Sequence, residues 1–196
     1  MASTTNQLLQ LAQPGAGLPI YELWIARLLF AVRFRLNNSE SIQAHFTKER
    51  ALVADLVKHC PTERQVERVL ISRLRGLEDS SRYWSVLMTL DHLRMVNLGC
   101  ANAIRELSQG RVPAGKASTA NVKPSPEVTE AVIAAYEASC QEVLAAADAA
   151  RDLDGPARYA HPWFGPLSAR GWYLLAAVHL GLHRKQVEAI LGGFKT

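Results

Sequence analysis

The sequence predicts an all-α protein. Apolar residues recur at helical spacing in several separate stretches, and caps or breakers bound most of them. No stretch alternates apolar and polar residues as a half-buried strand would, and no internal repeat is present. With 196 residues, 48% of them hydrophobic and 20% charged, the chain can build one globular domain with a sizeable core.

Residues 1–19 contain Pro14, Gly15, Gly17 and Pro19 and read as mobile. Residues 20–36 form a helix that is apolar on most sides and needs burial, against the body of the protein or a partner subunit. Its charges, Glu22, Arg27, Arg33 and Arg35, exclude a membrane span. The arginines do not gather on one face as they would on a membrane-surface helix. Asn37-Asn38-Ser39 supplies a turn with an N-cap. A second helix then runs from about Ser41 to His59 on the stripe Phe46, Leu52, Val53, Leu56, Val57, and Cys60-Pro61-Thr62 stops it. His59 suits the negative end of that helix dipole, and His45 sits among polar neighbours at the surface.

Residues 61–80 read as a mixed connector with moderate helix content, after which Ser80 or Ser81 is placed to cap a helix over about 82–108. Residues 109–125 are breaker-rich and long enough for a crossover connection. Ser125-Pro126-Glu127 is a helix-start signal, and the helix runs to about Ala150 with Ile133, Tyr136, Cys140, Val143 and Leu144 on its apolar stripe. Tyr159 to Leu167 carries Pro162, Gly165 and Pro166 but also Trp163 and Phe164, and reads as an ordered loop over one end of a bundle. Ser168 caps the last helix and Gly192-Gly193 closes it.

That last helix carries the principal site candidate. On a wheel with about 100° per residue, Trp172, Leu175, Ala176, His183, Gln186 and Ile190 share the face of His179, while Arg184 and Glu188 lie opposite. His179-x-x-x-His183 therefore puts two imidazoles one turn apart on an apolar face, a common way for a helix to offer a metal two nitrogens. The alternative is a pair of core histidines hydrogen-bonded inside the bundle. In the helix over 82–108, His92 shares its face with Met88, Met95, Gly99 and Ala103, so it also points inward, beside small residues that leave room for a partner helix or a cavity. Met88 and Met95 read as core fillers.

Composition narrows the partners. A net charge of +4 with scattered Lys and Arg, and no aromatic–basic interleaving, argues against nucleic acid. Three distant cysteines, Cys60, Cys100 and Cys140, without a CxxC, fit a reduced cytoplasmic protein, and the first ten residues do not resemble a signal peptide. GxGxxG, P-loop and GxSxG motifs are absent, so no organic cofactor-binding residues are assigned.

Three features then stand together: Trp84-Ser85 ahead of Asp91-His92-Leu93, the loop HPWFGPL at 161–167, and H-x-x-x-H in the last helix. In this order they resemble the DinB-like superfamily, also called DinB/YfiT-like metalloenzymes, over about residues 40–191. The resemblance implies a four-helix bundle with a long crossover loop. Residues 1–39 then form an N-terminal extension with the additional apolar helix, and 40–196 the bundle domain. It also implies that His92, His179 and His183 gather on a divalent metal. The family often has an acidic residue soon after the cap of its fourth helix. Gly171 stands there instead, which predicts a looser helix start.

Three neutral imidazoles and no protein anion would leave the ion its full charge and an open position, the ligand count of a catalytic centre. Zn, Ni and Fe all suit nitrogen ligands, so the sequence does not choose among them. By resemblance, the expected activity is a metal-dependent S-transferase using a low-molecular-weight thiol. Alternatives are a non-catalytic metal-stabilised bundle working through homodimer or protein contacts, and a metal-dependent hydrolase. His161 is a candidate acid or base, against the simpler role of pinning the aromatic loop. Gln186 is placed to orient a histidine from behind. Asp91 projects away from His92, and Cys100 reads as a small buried hydrophobe.

Overall fold

The structure is a computed structural model and describes residues 10–194. It contains five α-helices: α1 (Ile20–Leu36), α2 (Ser39–His59), α3 (Val86–Ser108), α4 (Ala131–Asp148) and α5 (Ala169–Gly193). Helices α2 to α5 form a four-helix bundle in which α3 packs against α4 and α5, and α5 also against α2.

Side-chain pairs give the helix directions. Arg170 donates to the carbonyls of Phe34 and Asn37 just ahead of α2, and Arg184 pairs with Glu49 further along, so α2 and α5 are parallel. Gln43 meets Asp148 while Arg50 meets Glu137, so α4 is antiparallel to α2. Gln186 reaches Ser81 ahead of α3 while His179 reaches His92, so α3 is antiparallel to α5. Helices α3 and α4 are therefore parallel, and the chain between them runs back along α3. It leaves at Gly110, whose N–H caps Leu107, and returns to the start of α3, where Ser125 N–H donates to Asp91 at 3.1 Å. The long crossover is present.

The core between the helices is continuous and apolar. Phe46 and Val53 of α2, Leu90, Leu93 and Ile104 of α3, Cys140 and Val143 of α4, and Leu180, Val187 and Ile190 of α5 are all essentially inaccessible. Helix α1 lies outside this bundle. Its Phe30 ring stacks on Phe164 with centroids 4.5 Å apart, Arg27 donates to the Trp163 carbonyl, and Glu22 is buried against Arg73 and the Gly76 N–H. No helix among the described residues is long and apolar enough to cross a membrane.

Several local expectations are corrected. Two small antiparallel sheets are present: β1 (Val69–Leu70) pairs with β2 (Tyr83–Trp84), and β3 (Tyr159–His161) pairs with β4 (Gly165–Leu167). The aromatic segment is thus a hairpin whose turn, Pro162 to Phe164, leads into β4 at Gly165 with φ +71°. Residues 61–80 hold no α-helix, only 3₁₀ turns and β1, because the backbone hydrogen bonds go to β2 and to turns instead. Helix α3 starts at Val86, and its cap is Ser85, whose Oγ accepts from Met88 N–H at 3.1 Å.

Ser125 does not start α4. Its Oγ accepts from Glu127 N–H in a turn, and the helix begins at Ala131. Helix α5 does end at Gly193, but without a left-handed glycine, and a Cβ at Gly193 would run into Val69 of β1. Of the N-terminal stretch read as mobile, residues 1–9 lie outside the described residues. Ala12 and Gly15 are tied down by N–H donation to Asp79 and Glu78.

Candidate metal centre

The two histidine helices enter the site from capped starts, which fix their rotation. Ser85 caps α3 seven residues before His92. Ser168 caps α5, its Oγ accepting from Gly171 N–H at 3.2 Å. Gly171 makes this start tight rather than loose, since a Cβ there would sit 3.1 Å from Leu167 Cβ. The missing acidic residue is thus a steric requirement of the β4–α5 corner.

The structure brings His92, His179 and His183 together. The Nε2 atoms of His92 and His183 each lie 3.1 Å from Nε2 of His179. The other nitrogens of the two outer rings are already committed. His92 Nδ1 is 2.6 Å from the Val122 carbonyl, which only accepts, so Nδ1 carries the proton and donates. His183 Nδ1 is 2.6 Å from Gln186 Oε1, and Gln186 donates its amide to the Ser81 carbonyl at 2.7 Å, which fixes the oxygen toward the ring. Neutral His92 and His183 therefore both present a bare Nε2 lone pair toward His179.

His179 has one proton to place, and neither position satisfies the cluster. On Nε2 it serves one neighbour only and leaves the other lone pair facing a nitrogen. On Nδ1 it is an orphan, because Nδ1 is buried without a partner. A cation among the three Nε2 atoms removes the conflict. Nitrogen ligands at about 2.0–2.1 Å from a metal stand roughly 2.8–3.0 Å apart in octahedral and 3.3–3.4 Å apart in tetrahedral geometry, and the observed 3.1 Å lies between the two. Among the described residues no carboxylate or thiol joins the group.

Burial keeps the site unprotonated. It pushes His92 down to about 4, against the opposing pull of the Val122 carbonyl bond. His179 and His183 fall well below the ordinary histidine value, by burial first and then by mutual repulsion with the neighbouring imidazoles. Trp84, only 4% exposed, backs the cluster, its ring stacked 9° from that of His183 with centroids 6.1 Å apart. Behind Trp84, Lys123 donates to Glu78, Ser80 and Ser81, and this pairing outweighs the burial that would raise Glu78. The histidines border a cavity of about 920 Å³, walled by α1, the 73–78 segment, the crossover and the β3–β4 hairpin.

The remaining candidates separate by geometry. His161 lines the same cavity, and its Nδ1 accepts from the Trp163 and Phe164 N–H groups, so it does hold the hairpin turn. That leaves Nε2–H as its free donor, and burial lowers its pKa to about 4. Gln186 sits behind His183 as described. Asp91 turns away to Arg94 and Ser125. Cys100 is buried at the cavity wall, its thiol pushed up to about 12. His45, half-buried against Glu49, lines the same cavity but is not among the three clustered histidines, and His59 is exposed. The carbonyls of Val122 and Ser81 were not foreseen, because a backbone acceptor leaves no mark in side-chain pattern.

Fold and site together define a four-helix-bundle protein with a three-histidine centre, compatible with metal binding, at the wall of a cavity. The chain belongs to the DinB superfamily, whose sequence model matches residues 38–187. It is similar in fold to the crystal structure of TT2238, a four-helix bundle protein, with a TM-score of 0.56 and 22% identity over 78% of this chain and 99% of that one. No curated protein matches the sequence.

Proposed function

We propose that His92, His179 and His183 hold one divalent metal ion, and that the centre serves a metal-dependent transferase acting on a low-molecular-weight thiol. The observation that carries this reading is the convergence of three uncharged Nε2 atoms with too few protons to satisfy one another, at the wall of a 920 Å³ cavity. A divalent ion there supplies Lewis acidity, bringing the pKa of a thiol or water ligand toward neutrality.

The chain's own residues prepare that chemistry. Val122 and Gln186 fix the ring tautomers and orientations from behind. Trp84 excludes water from the rear of the cluster, and the neutral ligand set leaves the ion's charge uncompensated. His161, neutral with Nε2–H free, acts as a hydrogen-bond donor to a substrate in the cavity rather than as a proton source.

The test is elemental analysis of untagged protein after reconstitution with Zn²⁺, Ni²⁺ or Fe²⁺. The wild type should hold close to one ion per chain and the His179→Ala/His183→Ala variant almost none. Gln186→Leu should weaken binding about 10- to 100-fold, as loss of an outer partner of a metal-bound histidine does. Loaded protein is then assayed for thiol conjugation. A wild type that stays metal-free sinks the reading. Turnover of esters without added thiol replaces the transferase by a hydrolase.

A further inference from the structure

Helix α1 is built inside out. Its inward side carries Glu22, Ala26, Arg27 and Phe30. Its outward side carries Trp24, Leu28 and Val32, with Ile20 and Leu36 at the ends, and Tyr21, Ile25 and Leu29 lie on the flank that also borders the cavity; each of the eight is between 43% and 78% exposed. The exposed hydrocarbon totals on the order of 1,000 Å², above the roughly 300–600 Å² of the largest patch on a typical monomer. It also matches the roughly 800 Å² per partner that a standard stable interface buries.

We propose that this face joins two copies of the chain, α1 packed antiparallel on α1 about a two-fold axis through Leu28. The argument is one of symmetry. A two-fold interface must be self-complementary about one point. Leu28 lies midway along Ile20–Leu36, and on a wheel with about 100° per residue it is also near the middle of the apolar arc. Antiparallel pairing about Leu28 sets Ile20 against Leu36 of the second copy and Trp24 against Val32. The one charge on the arc, Arg35, meets Tyr21 of the second copy, whose ring can take a guanidinium. Tyr21, Trp24, Leu28, Ala31 and Arg35 follow the three–four spacing of a helix seam. A lipid surface would favour cations along the borders of the arc. Instead, Arg27 is engaged inward by the Trp163 carbonyl, Arg33 is turned to the cavity and Arg35 stands within the arc. Because Tyr21, Ile25 and Leu29 also line the cavity, the second copy would cover the outer side of a cavity wall.

The experiment is light scattering and sedimentation of the full chain across micromolar concentrations. The expected mass is twice the 21.6 kDa of the chain, falling to one chain in Leu28→Arg. That substitution sets two charges face to face at the axis but touches no core, since Leu28 is 65% exposed. A second arm uses Leu28→Cys under mild oxidation. A residue on the axis meets its own copy and cross-links, whereas Trp24→Cys does so only when mixed with Val32→Cys. The native cysteines are all buried and give little background. A monomeric wild type, a dimer that survives Leu28→Arg without a Leu28→Cys cross-link, or sedimentation of monomers with anionic vesicles through this face would each overturn the proposal.

Discussion

Helices α5 and α1 break the same rule in opposite directions. Helix α5 turns its apolar face inward and places His179, His183 and Gln186 in the middle of it. Helix α1 turns Glu22 and Arg27 toward the body and leaves Trp24, Leu28 and Leu36 in the open. Hydrophobic burial alone explains neither arrangement, and a buried polar cluster or a large exposed apolar patch is where a structure is most informative. Each helix presents an unmet requirement. In α5 it is a positive charge among lone pairs, and in α1 it is a covering surface. The contrast teaches that two helices of one chain can depart from simple hydrophobic burial in different ways, one by what it buries and the other by what it leaves bare.

Acid should separate the two helices most strongly. The folded values of His92 and His161 lie near 4, and those of His179 and His183 lie well below the usual range, so in the metal-free chain the unfolded state takes up protons first. The stability linked to these histidines is fully present above about pH 6.5 and is lost as pH falls toward 4 and beyond, at up to about 1.4 kcal/mol per pH unit for each. Urea titrations of metal-free protein should show the midpoint falling steeply between pH 6.5 and 4, while metal-loaded protein resists to lower pH. A flat profile across that window would mean the imidazoles are not buried as a neutral cluster.

Truncation should give the next largest difference. Leu180→Ala, at a fully buried position of α5, should cost about 2–5 kcal/mol. Leu28→Ala on α1, measured at dilution where any dimer is dissociated, should stay within about 0.5 kcal/mol. Thermal unfolding reads both. Equal losses would show that the outward face of α1 is packed within its own chain.

The same contrast explains what the sequence made legible. Helical periodicity turned His92, His179 and His183 inward, since three separate residues each obey a local rule that needs no tertiary knowledge. It also showed the apolar excess of α1, although not which side would be left bare. The strands were invisible because β1 and β2 have two residues each and β3 and β4 three, too short for alternation to register, and Pro162 and Gly165 argued for a loop. Ser80 and Ser81 had the right chemistry for a cap but serve Lys123, while Ser85 does the capping. Local chemistry states what a residue can do, and tertiary neighbours decide which of its options is used.

Ser125 and Ser168 make that point measurable, with the smallest effect of the series. Both precede a helical pattern and both have the residue type of an N-cap. Ser168 Oγ accepts from the Gly171 N–H at the start of α5, while Pro19 at the same position of α1 has no side-chain acceptor to offer. Ser125 is held by Asp91 through its backbone and closes a turn onto Glu127, ahead of the first residue of α4. Ser168→Ala should therefore cost about 1 kcal/mol. Ser125→Ala should cost only a few tenths, since its backbone bond to Asp91 survives the change and a solvent-exposed N–H is left to water. Denaturant titration of the two variants side by side reads the difference. A loss at Ser125 as large as that at Ser168 would mean that the Ser-Pro-Glu segment nucleates α4 after all, and that the turn is part of the helix's start.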